Sequence, residues 1–485
     1  SGTIVSTALP TILGTLHGSQ SQYTWVVTAT LLTATASTPI WGKLADLFHK
    51  KWLVQIAIVV FALGSIASGL AQTVGQLIAA RAFQGIGVGG LQALVQVVIA
   101  AIIPPRERGR YNGYLGGVVA VATVGGPLLG GVIVDTPGLG WRWCFFIGVP
   151  VAVIAAIVLQ ATLRLPVIRR DEVKIDYLGA GLITAGVSLL LIWVSFVDEA
   201  FGWLSWQTAV MAGGALALLA LALLVEARVP EPVVPLRIIR ERTTALSIIA
   251  SIAAGMAMFG GGVFLGQYFQ IGRGYSPTAA GMLTSPMMIG VLITSIIAGR
   301  MISRSGRIKS YIVVGSIGLV VGYVMLGAID HATPLAFVGV AMAIVGVGIG
   351  LTMQNLVLVV QNVVPLRDIG AASSAVAFFR SLGGTIGVSV LGAVLARRVA
   401  ARIQQDLAAA GVPASVSSEA SGSLDLSALP EFVQEIVRRA YADATGDILL
   451  ISAVLSVVGL IAAAFLKPVV LRSSLDVPES ERSGR

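Results

Sequence analysis

Residues 76–103 read QLIAARAFQGIGVGGLQALVQVVIAAII. These 28 residues carry one charge, Arg81, and exceed the roughly 20 apolar residues that cross a bilayer as a helix. The run stops at Pro104-Pro105-Arg106-Glu107-Arg108-Gly109. A buried strand would end after about 4–8 residues, so this stretch is a spanning helix with a polar turn behind it.

The same alternation of long apolar run and short charged or Pro/Gly cluster fills the chain. It predicts spans at 1–16, 23–41, 53–71, 76–103, 111–134, 143–163, 177–197, 207–226, 244–270, 277–300, 310–329, 334–362, 370–396 and 447–466. The fold class expected is an all-α polytopic membrane protein with 14 transmembrane helices. The first run is short for a span, so the sequence is expected to enter inside its first helix. Composition agrees: 56% of residues are hydrophobic and 11% charged, with a mean hydropathy of +0.90, against about 25% charged in soluble domains.

The formal charge of +9 does not point to nucleic acid, because the basic residues are dispersed over loops instead of forming one face with interleaved aromatics. Cys144 is the single cysteine, and the three histidines, His17, His49 and His331, sit beside loops. No cluster supplies a nucleophile, an acid–base pair or a metal-ligand set, so an enzyme, a cofactor and a metal are all unexpected.

Lys and Arg fall unevenly on the loops. One alternate set, with the C-terminal tail, holds 23 of the 32; the other holds 7, and Arg81 and Arg380 lie inside spans. Basic loops stay cytoplasmic, which predicts both termini on that side. Five of the seven opposing charges lie in one extracellular connection, 397–446, expected as two amphipathic helical pieces around the Ser-rich stretch Val416–Ser423.

The chain is also duplicated. GKLADLFHKK at 42 matches GRMISRSGRIK at 299, and the pairs Gly85 and Gly346, Pro104 and Pro365, and Gly126 and Gly387 share an offset of 261. This predicts a six-helix bundle over 1–163 and a second over 244–466. Segment 164–243 brings two inserted helices, and 467–485 is a cytoplasmic tail. Parallel repeats with a site at their interface are a transporter architecture.

Gly85, Gly87 and Gly90 satisfy a dinucleotide-binding spacing, but without the strand that motif requires. Gly85 and Gly89 read instead as a small-xxx-small helix contact. On the same helix Arg81, Gln84, Gln92 and Gln96 share one face; Gln354, Asn355, Gln361 and Asn362 do so on its repeat. These are candidates for lining a pathway or for interhelical hydrogen bonding. Arg380 lies mid-span, where charge is costly and usually functional. Phe264, Gln267 and Tyr268 share a face, and Phe379 adjoins Arg380, as candidates for an apolar pocket wall.

These residues resemble the major facilitator superfamily, most closely its fourteen-helix drug:proton antiporter branch, over nearly the whole chain. Gly42, Asp46, Lys50 and Lys51 resemble its signature loop and imply a cytoplasmic gate; His49 stands where a Gly is usual. Arg81, Gln84, Gly85 and Gly87 are similar to its helix-four motif, whose Arg is linked to proton transfer. Gly126, Pro127, Gly130 and Gly131 resemble the helix-five motif of exporters, and Trp141-Arg142-Trp143 the entry to helix six. Thr3 to Pro10 is similar to the helix-one motif, with Ser1 where the branch carries a coupling Asp. Asp135 is then the candidate proton-coupling group.

The resemblance implies a proton-coupled exporter of lipophilic or amphipathic small molecules in a bacterial inner membrane, multi-pass and expected as a monomer. Its partners are a small-molecule substrate, protons and membrane lipid. The alternatives are a lipid or metabolite exporter or facilitator of the same fold, and a membrane sensor or scaffold using 397–446.

Overall fold

The computed structural model describes residues 20–136, 138–163, 176–197, 201–229, 236–275, 277–365, 368–409 and 430–469, with Ile4, Val5, Ala8, Ile12, Thr15, Leu16 and Pro232. The chain is helical throughout these residues, apart from connecting turns and an isolated bridge between Val197 and Phe201. The helices are α1 Gln20–Leu47, α2 Lys50–Leu70, α3 Val74–Ile102 and α4 Pro105–Asp135. Next come α5 Trp143–Thr162, α6 Tyr177–Phe196, α7 Trp206–Glu226 and α8 Arg242–Gln267, which ends in a π turn, Tyr268–Gly272. After the short helix Pro277–Leu283 follow α9 Ser285–Ser305, α10 Lys309–Gly327, α11 Leu335–Val363, α12 Ile369–Ala409 and α13 Glu431–Ala464.

Ten helices among the described residues are long and apolar enough to cross a membrane, not the fourteen expected. The shortfall has physical reasons. α1 and α5's neighbour α4 are long, at 28 and 31 residues, but polar or Gly-rich. The apolar part of α6 is short, Leu178–Val194, and most of 1–16 lies outside the described residues. The described helical pieces of 397–446 are direct continuations of α12 and α13. Val399, Ile403 and Leu407 on α12 are buried with Val433, Val437 and Ala440 on α13 in one core cluster. The Ser-rich stretch lies outside the described residues.

Local signals fix the helix ends. Thr73, Asp176, Ser205 and Glu241 each accept a backbone N–H of the following turn, as N-caps do. Gly306, at φ 68°, stops α9 in the left-handed region. The basic turn after α3 is closed by buried Arg108, which donates to Ala100 O at 2.6 Å and Ile103 O at 2.8 Å. At the other end, Arg142 of the Trp-Arg-Trp motif donates to Gly69 O and Ala71 O at 2.8 and 2.7 Å. It thereby satisfies the last carbonyls of α2.

The first helices pack as α1 on α3, α3 on α2 and α2 on α5; the later ones as α8 on α12 and α13, and α11 on α9 and α10. Between the groups α4 lies along α9 and α1 along α12, while α6 pairs with α7 and rests on α1 and α12. Large apolar side chains stay exposed on outer faces, among them Val118 at 65%, Val151 at 66% and Ile157 at 64%, as suits helices whose solvent is lipid.

The glycine runs show why the repeat matters. A Cβ on Gly85 or Gly89 would collide with α1, at Thr30 O and Ala34 O, and one on Gly87 with α2, at Phe61 N. In the second run Gly346 and Gly350 press on α9, at Met287 O and Val291 O, and Gly348 presses on α10, at Gly315 O. The alternation is the same in both. Close backbone approach is the work of these glycines, and no phosphate-binding strand precedes either run.

Candidate transport pathway between the helix groups

One end of the bundle bears the Gly-and-basic loops, and there the two groups are latched twice. At the end of α1, Asp46 accepts the backbone N–H of Gly370 through Oδ1 and that of Ala371 through Oδ2, each at 2.8 Å. These are free donors in the first turn of α12, where the helix dipole also favours an anion. Gly42 makes the approach possible, since a Cβ there would strike Ser374 and Gly370 O.

The second latch is the repeat's version of the first. Aligning GKLADLFHKK with GRMISRSGRIK puts Ser303 under Asp46 and Gly299 under Gly42. Ser303 Oγ accepts the N–H of Arg110 at 3.1 Å, and Arg110 corresponds to Ala371 by the 261 offset. Gly299 lies against Gly109 O, the counterpart of Gly42 against Gly370 O. The latches differ in chemistry: a carboxylate takes two N–H bonds in one, a hydroxyl takes one in the other. Sequence reasoning named Gly42 and Asp46 but passed over Ser303, although the aligned loops already paired it with Asp46. Of the two lysines in that loop, Lys51 donates to Gln160 O at 2.7 Å, tying α2 to the end of α5, and Lys50 is half-buried.

Deeper in, the two polar stripes meet. Gln96 Nε2 donates to Gln354 Oε1 at 2.7 Å, and Gln361 Nε2 donates to Ser373 Oγ at 3.0 Å and to Gln96 O at 3.4 Å. This chain joins α3 to α11 and α12, and it leaves the buried Oε1 atoms of Gln96 and Gln361 without partners. Asn355 donates to Leu351 O on its own helix at 2.7 Å, Asn362 is buried, and Gln92 is exposed.

Arg81 is buried nearer the opposite end. Its Nη1 donates to Gln84 Oε1 at 2.5 Å, and Gln84 Nε2 donates to Ser65 Oγ at 2.6 Å. The guanidinium also reaches Val26 O at 3.5 Å and lies 5.9 Å from the Phe145 ring centroid. Arg81 and Gln84 thus make contacts among α1, α2, α3 and α5.

Five further candidates lie on α8, its π turn and α12. Phe264 and Tyr268 belong to the core among α8, α10 and α11, where Tyr268 Oη donates to Asp330 O at 2.9 Å. Their shared helical face is real, but it turns into the second group because π-turn packing buries it. Gln267 beside them is half-buried. Arg380 sits on α12 with its backbone carbonyl against Gly255 of α8, and its Nη1 is buried with no hydrogen-bond partner. Phe379 beside it is half-buried and edge-on to Phe378, with centroids 5.0 Å apart.

Gly126 and Gly130 are buried within α4. Placement of the Pro127, Gly131 and Asp135 side chains lies outside the described residues.

A family model described as Major Facilitator Superfamily matches residues 1–388. The chain belongs to this superfamily. An uncharacterized MFS-type transporter of Mycobacterium tuberculosis is 36% identical over 470 residues, covering 97% of this chain and 67% of the relative. The multidrug transporter protein MdtP of Bacillus subtilis is 32% identical over 514 residues, covering 100% and 93%. The efflux pump dotC of Dothistroma septosporum is 30% identical over 485 residues, covering 98% and 83%. Among solved structures, a double Trp mutant of the xylose symporter XylE aligns with a TM-score of 0.63 at 13% identity, covering 97% of this chain and 93% of that one. The protein is a multi-pass membrane transporter of this superfamily and not an enzyme.

Proposed function

We infer that this transporter exports lipophilic or amphipathic small molecules, with the two helix groups rocking about the seam between them in alternating access. The observation that carries this reading is the pair of repeat-related latches, Asp46 on α12 and Ser303 on α4, which close one end of that seam. In this reading that end and both termini are cytoplasmic, as the distribution of Lys and Arg implies, and the seam is shut on that side. The fourteen-span arrangement, two six-helix bundles with α6 and α7 inserted, accounts for the helices found plus the partly described first segment. The Bacillus multidrug transporter and the Dothistroma efflux pump, as similar proteins, support efflux.

Coupling to protons runs through Asp135 in this reading, Ser1 having no carboxylate to offer. The test is full-length protein in proteoliposomes under an imposed pH gradient, with cationic, neutral and anionic fluorescent compounds. Gradient-driven accumulation lost in Asp135→Asn is expected. Equilibration without accumulation makes the protein a facilitator. No movement of any compound sinks the exporter reading in favour of a lipid-moving or sensory role.

A further inference from the structure

Acids are scarce inside this bundle, and buried Asp176 and Glu226 lie at the ends of their helices. Acidic residues are absent from the stretches that carry the two arginines and their neighbours: none occurs in 47–106, 242–329, 331–367 or 369–405, while Asp443 and Asp447 lie inside α13. Among described residues, Arg237 pairs with Asp368 at the start of α12, and Arg398 and Arg402 pair with Asp447 between the second half of α12 and α13. Arg81 and Arg380 are the two charges within the spans. Arg81 is satisfied by Gln84 and Val26 O; Arg380 is not.

Arg380 lies eleven residues into α12, about 16 Å along the helix and so near the middle of a hydrocarbon core of about 30 Å. Its Nη1 is shut from solvent and meets no acceptor. Gly255 of α8 touches its backbone, and one and two turns back on that face of α8 stand Ser251 and Ser247. Both serine hydroxyls are buried, and neither has a hydrogen-bond partner. Beside it, half-buried Phe379 packs against the cluster of Ile248 of α8 and Ala372 and Val376 of α12, which supplies an apolar wall next to the arginine. An unpartnered cation with unpartnered hydroxyls nearby, no carboxylate, and an aromatic wall is the complement of an acidic head on an apolar body.

We propose that Arg380, with Ser251 and Ser247, forms a binding site for the anionic group, carboxylate or sulfonate, of an amphipathic substrate. This rests on the exporter reading for its role in transport but not for the binding itself. The guanidinium takes the anion by paired N–H donors, a geometry that Lys matches poorly.

Binding is measured on the full chain in phosphatidylcholine nanodiscs with three fluorescent probes. These are the sulfonate 1-anilinonaphthalene-8-sulfonate, its uncharged analogue N-phenyl-1-naphthylamine, and the cation ethidium. Wild type is expected to favour the sulfonate over ethidium. Arg380→Gln should weaken sulfonate binding at least about tenfold, or about 1.4 kcal/mol, while leaving the naphthylamine within about twofold, and Arg380→Lys should fall between. The naphthylamine serves as the check that each variant is folded; if Arg380→Gln loses it, Arg380→Lys and Ser251→Ala carry the comparison. Equal sulfonate affinity in wild type and these variants overturns the proposal, as does a wild type that prefers ethidium. Repeating the titration with phosphatidylglycerol in the disc separates sources: displacement of the sulfonate that depends on Arg380 assigns the site to a lipid headgroup of the same chemistry. Failure of transport with sulfonate binding intact would sink the exporter reading and leave this site standing.

Discussion

Replacing Asp46 with Asn should open the latched end, and more widely than any change at Ser303. Asp46 accepts two backbone N–H bonds at 2.8 Å from the first turn of α12. Asn keeps one acceptor and turns an N–H₂ toward the other donor, so at a pH above about 7, to which burial raises the Asp46 pKa, at least one charge-assisted bond, about 1.5–3 kcal/mol, is lost. That shifts the closed-to-open ratio about 10- to 150-fold. Ser303→Ala removes a neutral bond from Arg110 N–H at 3.1 Å and a long one to Glu107 O at 3.5 Å; the shorter is worth about 0.5–1.5 kcal/mol, a shift of about 2- to 12-fold. Spin labels at Trp52 on α2 and Ser305 at the end of α9, both exposed, in a Cys144→Ser background, report the separation of the groups. A long-distance population should grow in Asp46→Asn and only slightly in Ser303→Ala. Unchanged distances in Asp46→Asn, or a larger opening from Ser303→Ala, would refute the assignment of the stronger latch to the carboxylate.

Other outcomes follow from the same geometry. Gly85→Val should force α3 off Thr30 O of α1 and lower thermal stability by about 1–3 kcal/mol, as overpacking does, read as a fall in Tm by tryptophan fluorescence. Arg142→Ala strips the carbonyls of Gly69 and Ala71 of their donor, and a loss of about 1.5–3 kcal/mol is expected with substrate binding unaltered. Asp447→Asn releases Arg398 and Arg402, whose side chains are 51% and 35% exposed; screening by solvent holds the cost below about 1 kcal/mol, and transport in proteoliposomes should match wild type.

Much of this was legible because apolar length and glycine spacing are local properties. The boundaries expected at 53–71 and 177–197 differ from α2 and α6 by three residues or fewer at either end. The Gly85–Gly89 contact could be named from spacing, since only helix packing suits glycines in a run without a strand. The extension of α12 to Ala409 could not be read from hydropathy, which falls at Arg397 although the helix continues. There Val399, Ile403 and Leu407 hold it at helical period against α13. For Arg81 and Gln84, periodicity placed them on one face but could not say that Ser65 of α2 would meet them. The direction in which a face points depends on neighbours far away in sequence, and so Phe264 and Tyr268 went inward. Ser303 was missed because a hydroxyl in a loop carries no signal until its repeat partner shows what the position does.

The overlong last helices have a mechanical consequence. At 41 residues α12 measures about 61 Å, and a hydrocarbon core of about 30 Å leaves roughly half of it projecting. Arg402 binds both Asp443 and Asp447 of α13, and His331 in the α10–α11 turn meets Asp443, so the projecting pair is bolted to its own helix group and must turn with it. A rigid-body swing of about 15° would carry a tip about 30 Å out through about 8 Å. The hairpin is therefore a pointer whose travel magnifies a motion that is small at the seam.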